Sequence, residues 1–319
     1  MQRRSVFKLL AGLALPGSSA LAQSSSGKPI RIVVPLSVGT GTDTVTRLIA
    51  PKLSAILGQP VIVENKVGGN GLIGVQEVLR AAPDGTTLLM GSVSSLAINT
   101  AMMKNPPYDP RRDLTAIAGA YTANHVWLVR PGHPARTFGE FIAYMQKNPG
   151  KVNIGQASTL VKIQLAALQK MAGVEFVEVP YKTLGPTITD VISGILDMTL
   201  IDTGAALTQV KSGQLRALAV SSPKRNPFAP DWPAVAETIP GFDFTSWTAM
   251  VGPAGMPRDV VARINAAMVQ VIKQPDMQQR LEQIANVPMI VTPDELKSFM
   301  DAEVVKWTRV VKDAKIEQE

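Results

Sequence analysis

The residues of this chain best suited to chemistry lie in short polar clusters, the first being Gly39, Thr40, Gly41, Thr42 and Asp43, with Ser37 just before it. This cluster follows an apolar run at 30–34 and precedes a helical pattern, so it marks a strand-to-helix turn. Backbone N–H groups converge at such a turn and the helix start adds the positive end of its dipole, which suits capture of an anion. As a nucleotide fingerprint the stretch fails, because the third glycine of G-x-G-x-x-G falls at Thr44. A tight turn in front of a capped helix draws on the same residue types, and that reading stays open.

Further clusters stand at the ends of other strand-like runs. Ser92, Ser94 and Ser95 follow one of them. Gln156, Ala157, Ser158 and Thr159 follow a second, Tyr181 and Lys182 a third, and Asp202 and Thr203 a fourth. In open α/β sheets ligands sit beyond the carboxyl ends of the strands. Residues 37–43 and 92–95 are therefore expected on the cleft side of one lobe, and residues 156–159 and 202–203 on the cleft side of another. Each cluster also has a local use: the serines as helix caps, Asp202 as the N-cap of a helix at Ala205, and Lys182 as a solvated cation. Lys162, three residues past Thr159, points either to the cleft mouth or to solvent.

Catalysis has little to work with. The chain has two histidines and no cysteine. His125 lies in a strand-like run and His133 in a Pro/Gly turn, and no G-x-S-x-G or H-E-x-x-H is present. No catalytic residue, metal or cofactor is expected. An exported hydrolase is the enzymatic alternative.

The elements that must position these clusters alternate between strand and helix patterns, which argues for an α/β layer architecture. Strands are expected at 30–34, 61–64, 87–90, 117–120, 125–129, 152–154, 176–179, 198–201, 216–220 and 247–251. Apolar Val45, Leu48, Ile49, Leu53, Ile56 and Leu57 recur at helical spacing after the first strand, with Thr42 or Asp43 as cap and Pro51 as a conflict inside the helix. Thr137 with Glu140, and Thr292 with Glu295, read as capping boxes. The chain beyond Pro257 reads as almost purely helical. Two proline-rich crossings, at 105–110 and 222–233, read as loops. A domain exchange shortly after each gives one domain of residues 23–122 plus 247–319 and another of 123–246, with crossovers near Thr122 and Ser246 acting as a hinge.

The N-terminus reads as an export signal over residues 1–22. Arg3, Arg4 and Lys8 precede an apolar core from Leu9 to Leu15, and Ala20, Leu21 and Ala22 form a small-x-small cleavage site. That core is far shorter than the about 20 residues that span a bilayer. The paired arginines resemble a twin-arginine signal, with Val6 and Phe7 in an imperfect order for it. The formal net charge of the 319-residue chain is +7. Three of the cations belong to the signal and the rest are spread out, so nucleic acid is not an expected partner. Without cysteine, the exported protein is stabilised by its core and not by disulfides.

The segments PIRIVVPLSVGTGTDTVTRLIA, LGQPVIVENKVGGNGLIG, AAPDGTTLLMGS, PYDPRRDLTAIA, VPYKTLGPTITDVISGILD, SGQLRALAVSSPKR and KWTRVVKDA occur in this order. Together they resemble the extracytoplasmic solute receptors of the tripartite tricarboxylate transporter, the Bug family. The resemblance implies a two-lobed, periplasmic-binding-protein-like fold of type II, with two α/β domains joined by a hinge. It also implies a small organic acid as ligand and the membrane subunits of the transporter as partners, with a sensor kinase as the alternative recipient. Two features depart from the family pattern. Ser37, Val38, Gly39 and Thr40 replace a stretch that usually carries paired glycines, and the second-lobe loop is shortened to GQAST at 155–159, with Lys162 where the family often has histidine.

Overall fold

A computed structural model describes residues 27–318. The export signal expected over 1–22, with its cleavage site, lies outside the described residues. The chain runs β1 (Ile30–Val34), α1 (Gly41–Leu57), β2 (Val61–Asn65), α2 (Leu72–Leu79), β3 (Thr87–Ser92), a π-helical turn (Ser94–Ile98), α3 (Asn99–Met102), α4 (Pro110–Asp113) and β4 (Leu114–Ala123). It continues through β5 (His125–Val129), α5 (Phe138–Lys147), β6 (Asn153–Gln156), α6 (Thr159–Ala172), β7 (Val177–Pro180), α7 (Leu184–Ser193), β8 (Met198–Asp202), α8 (Thr203–Lys211) and β9 (Arg216–Val220). The last elements are β10 (Ser246–Pro253), α9 (Arg258–Ile272), α10 (Pro275–Gln283), β11 (Val287–Pro288) and α11 (Pro293–Asp313).

These strands form two sheets. One has the order β11-β4-β10-β3-β1-β2 and the other β7-β6-β8-β5-β9. In the first, β1 pairs parallel with β2 and β3, while β10 runs antiparallel between β3 and β4. In the second, β6 is parallel to β7 and β8, and β5 is antiparallel to β8 and β9. The buried residues Ile32–Val34 of β1 and Leu88–Met90 of β3 are apolar throughout, as expected of strands covered on both faces. Two passes of the chain between the sheets run side by side: Ala123 at the end of β4 is the register partner of Ser246 at the start of β10.

Behind the sheets the two cores are continuous. Trp127 of β5 packs edge-on to Phe242, Phe242 lies 4.5 Å from Phe244, and Phe244 meets Trp307 of α11. The buried Glu303 carboxylate accepts the indole N–H groups of both Trp247 and Trp307, at 2.8 and 2.9 Å. Lys306 then bonds Glu303 and Asp243. Apolar burial supplies the stability of this seam, and the carboxylate fixes how the two rings sit.

Several expectations are corrected. The N-cap of α1 is Thr40, not Thr42 or Asp43; Asp43 sits in the first turn and reaches back to the Gly39 N–H. Pro51 is accommodated inside α1 because it is exposed, where its ring meets solvent. Pro110 is not in a loop but opens α4, its fixed φ suiting the first helical position under the Asp109 cap. The region after Pro257 contains β11, which pairs with Thr122 and Tyr121. Contact with a neighbouring strand, not the local pattern, creates that element. Gly155 and Gln156 complete β6 instead of opening the loop after it. The Thr292 capping box forms reciprocally with Glu295, whereas Glu140 caps the Arg136 N–H and only Thr137 plays the expected part.

Candidate functional site

A cavity of about 850 Å³ is lined by residues from both sheets. Ser37, Gly39, Thr40, Gly41, Thr42, Ser92 and Ser94 line it from the first, and Ala157, Ser158, Thr159 and Asp202 from the second. Three expected residues lie outside the lining. Asp43 is buried in the first turn of α1, where its carboxylate accepts the Gly39 N–H at 2.9 Å, the Asn65 amide at 2.8 Å and Arg47 Nε at 3.0 Å. Gln156 donates to Glu178 and accepts the Ser158 N–H. Tyr181 donates its hydroxyl to Asp190 at 2.5 Å. Lys162 is exposed and not in the lining, so it faces solvent.

The cavity walls are built largely from helix starts. Thr40 caps α1 by accepting the Asp43 N–H, Ser158 caps α6 by accepting the Val161 N–H, and Asp202 caps α8 by accepting the Ala205 N–H. Helical geometry leaves the N–H groups of Gly41 and Thr42, and those of Thr159 and Leu160, without an intrahelical acceptor. All four of these residues line the cavity. The Gly39 backbone has φ +84°, a left-handed conformation that glycine adopts without strain and that turns the chain into α1.

The π-helical turn at Ser94–Ile98 forms another wall. A turn of this kind widens the hydrogen-bond ladder and recurs at functional sites. The Ser95 carbonyl is met by the Tyr108 hydroxyl at 2.5 Å, and the Ser95 side chain bonds back to Ser92. Burial pushes the Tyr108 phenol up to about 12, so it stays a neutral donor. Asn99, just after the turn, bonds the Asn70 carbonyl and so ties this wall to the glycine-rich segment before α2.

Among the described lining residues there is no lysine or arginine, and Asp202 is the one charged side chain. A negative ligand here is met by N–H dipoles, which stabilise an anion at a helix start without a counter-ion. Sequence reasoning missed His125, Tyr121, Asn70, Asn99, Thr248 and Asn286 as lining residues. Tyr121, His125 and Thr248 sit within strands and the three asparagines in short segments far apart in the chain, where no local pattern marks them. For Tyr121, burial raises the phenol, and hydrogen bonding with Thr248 and Thr42 opposes that rise. A second cavity, of about 470 Å³, lies by α4 and α9 and is rich in cations, but its Arg111 and Arg112 are already paired with Asp109 and Asp113.

The sequence matches the model of the tripartite tricarboxylate transporter family receptor over residues 45–316. The chain belongs to this receptor family. Among relatives, Protein BugT of Bordetella pertussis is 30% identical over 316 residues, covering 97% of this chain and 95% of BugT. Among solved structures, an R. palustris protein with adipate is 27% identical with a TM-score of 0.79, covering 91% of this chain and 98% of that one. MatC from Rhodopseudomonas palustris with bound malate is 29% identical with a TM-score of 0.75, covering 89% and 98%. The fold of this tripartite tricarboxylate receptor is thus that of the periplasmic binding proteins, and its family is one of solute receptors, not enzymes.

Proposed function

We propose that this receptor is exported to the periplasm, captures a small organic carboxylate in the cavity between its sheets, and hands it to the membrane subunits of a tripartite tricarboxylate-type transporter. The observation that carries this reading is the convergence of three helix starts and a π-helical turn on one cavity whose described lining has no basic side chain. Such a site pairs anionic oxygen atoms with N–H groups and discriminates by shape and by the few polar side chains present. The adipate and malate held by two structural neighbours support a carboxylate as the ligand class.

A thermal-shift screen over organic acids tests the binding step, because a ligand that binds only the folded state raises its apparent stability. At least one carboxylate is expected to raise Tm in a concentration-dependent way. Unchanged Tm across mono-, di- and tricarboxylates would remove the reading. Delivery is tested by deleting the gene and measuring uptake of the bound acid, which should fall. Normal uptake with lost induction of acid-responsive genes would assign the receptor to a sensor kinase.

A further inference from the structure

His125 opens β5 at the chain crossing and lines the cavity, yet its other ring nitrogen is held by a buried polar chain that has nothing to do with the helix starts. Gln164 Nε2 lies 2.8 Å from His125 Nδ1, Ser221 Oγ lies 2.7 Å from Gln164 Oε1, and Trp127 Nε1 lies 3.0 Å from Ser221 Oγ. Gln164, Ser221 and Trp127 are fully buried. Trp127 fixes the direction of this chain, because an indole N–H only donates. Ser221 therefore accepts from Trp127 and gives its own proton to Gln164 Oε1. That leaves the Gln164 amide N–H as the donor to His125 Nδ1. The reversed amide would place two donors on Ser221 and leave its buried hydroxyl proton without an acceptor, which is costly.

With Nδ1 accepting, the ring carries its proton on Nε2. Burial lowers the His125 pKa to about 4, against a raising effect of Asp202, so the ring is neutral at ordinary pH. His125 and Asp202 are directly opposed register partners on antiparallel strands. Directly opposed residues share one face of the sheet, and both line the cavity. One corner of the site thus presents a fixed N–H donor beside a carboxylate acceptor.

Building on the carboxylate reading above, we propose that His125 and Asp202 read a hydroxyl on the bound acid, with Gln164 as the residue that positions the donor, so that the receptor selects hydroxy acids. An alcohol accepts from His125 Nε2–H through its oxygen and donates its proton to Asp202. An ammonium at the same place satisfies Asp202 but turns its protons on the imidazole N–H. A second carboxylate there satisfies His125 but faces Asp202. A methylene offers neither His125 nor Asp202 a partner. The ligand's carboxylate is left to the helix starts.

Calorimetry with two matched trios tests this: lactate, alanine and propionate, and malate, aspartate and succinate, each trio differing in a hydroxyl, an ammonium or a hydrogen on one carbon. The hydroxy member of at least one trio is expected to bind at least about tenfold tighter than its partners, the worth of one well-made hydrogen bond. In His125→Phe that advantage should disappear, so that the hydroxy member no longer binds tighter than its partners. Equal binding within the trios, or tighter binding of the amino members, overturns the hydroxyl assignment and leaves the carboxylate reading standing. Failure of every acid to bind overturns both. Long-range proton–nitrogen NMR of the unaltered protein, its two histidines told apart by His133→Gln, reads the tautomer directly and does not depend on any variant of the site being stable. The His125 proton should be on Nε2; a proton on Nδ1 overturns the role given to Gln164 and with it the proposal.

Discussion

Asp43 shows how a side chain with the chemistry of a ligand contact serves the site from behind it. Burial raises its carboxyl pKa, but hydrogen bonds from the Gly39 N–H, Asn65 and Arg47 outweigh that effect and hold it below the ordinary value of 3.8. A lowered folded-state pKa contributes stability above the unfolded pKa, and that contribution is lost as pH falls through the folded value. Asp43→Asn should therefore cost about 1–3 kcal/mol in urea denaturation at neutral pH, and the gap to the parent should close in strong acid. A gap that persists undiminished at about pH 2 would contradict the assignment. The neighbouring glycines separate shape from backbone strain. Gly39→Ala should cost about 1–2 kcal/mol because of its positive φ, although a Cβ there meets nothing within 4 Å. Gly41 has helical geometry and a Cβ there makes ordinary contact with the Tyr121 hydroxyl at 3.7 Å, so Gly41→Val should fold normally and weaken carboxylate binding. Unaltered affinity in that variant would move the anion away from the α1 start.

At the scale of elements, α11 and α1 make opposite predictions. The seam between α11 and β10 depends on Glu303, which satisfies two buried indole N–H groups at once. Glu303→Leu leaves both without an acceptor, and stability should fall by roughly 2–6 kcal/mol at about 1–3 kcal/mol per group; a loss under about 1 kcal/mol would mean that the rings find other partners. In α1, Pro51 interrupts the backbone ladder at an exposed position. Pro51→Ala restores that bond and removes the ring clash, so the protein should gain stability, by up to about 3 kcal/mol less the entropy returned to the unfolded chain. Equilibrium denaturation reads this directly, and a less stable variant would show that α1 is bent to fit around its proline.

At the scale of the molecule, we propose that the described parts of residues 23–122 plus 247–319 and residues 123–246 move as two lobes about the adjacent crossings at β4–β5 and before β10. Only Asn124 separates β4 from β5, and its carbonyl is held by the Thr203 N–H and hydroxyl, so rotation about this point carries α8 and its cavity-lining start along with it. Because the cavity draws lining from both sheets, an acid that touches both favours the closed arrangement by its differential affinity. Small-angle scattering should then give a smaller radius of gyration at saturation with the bound acid than without it. The same radius in both conditions would assign the cavity to a rigid receptor.

The order of the strands and helices, the α/β class and the positions of the polar loops were legible in the sequence because each rests on local rules. Apolar runs at 30–34 and 87–90, glycine and threonine at a strand end, and Thr292 three residues before Glu295 report on the segments that contain them. The family motifs extended that reading to two lobes around a cleft. Contacts between distant segments decided the rest. β11 exists because Val287 and Pro288 meet β4, and Glu303 matters because two tryptophans from different elements point at it. Asp43 and Tyr181 look like ligand contacts until their partners Arg47, Asn65 and Asp190 are in place. His125, which in the sequence is one of two histidines with no partner in view, gains a defined proton only from Gln164, Ser221 and Trp127, which lie up to 94 residues apart along the chain. Hydrogen-bond direction is a property of a closed set of donors and acceptors, and only folding assembles that set.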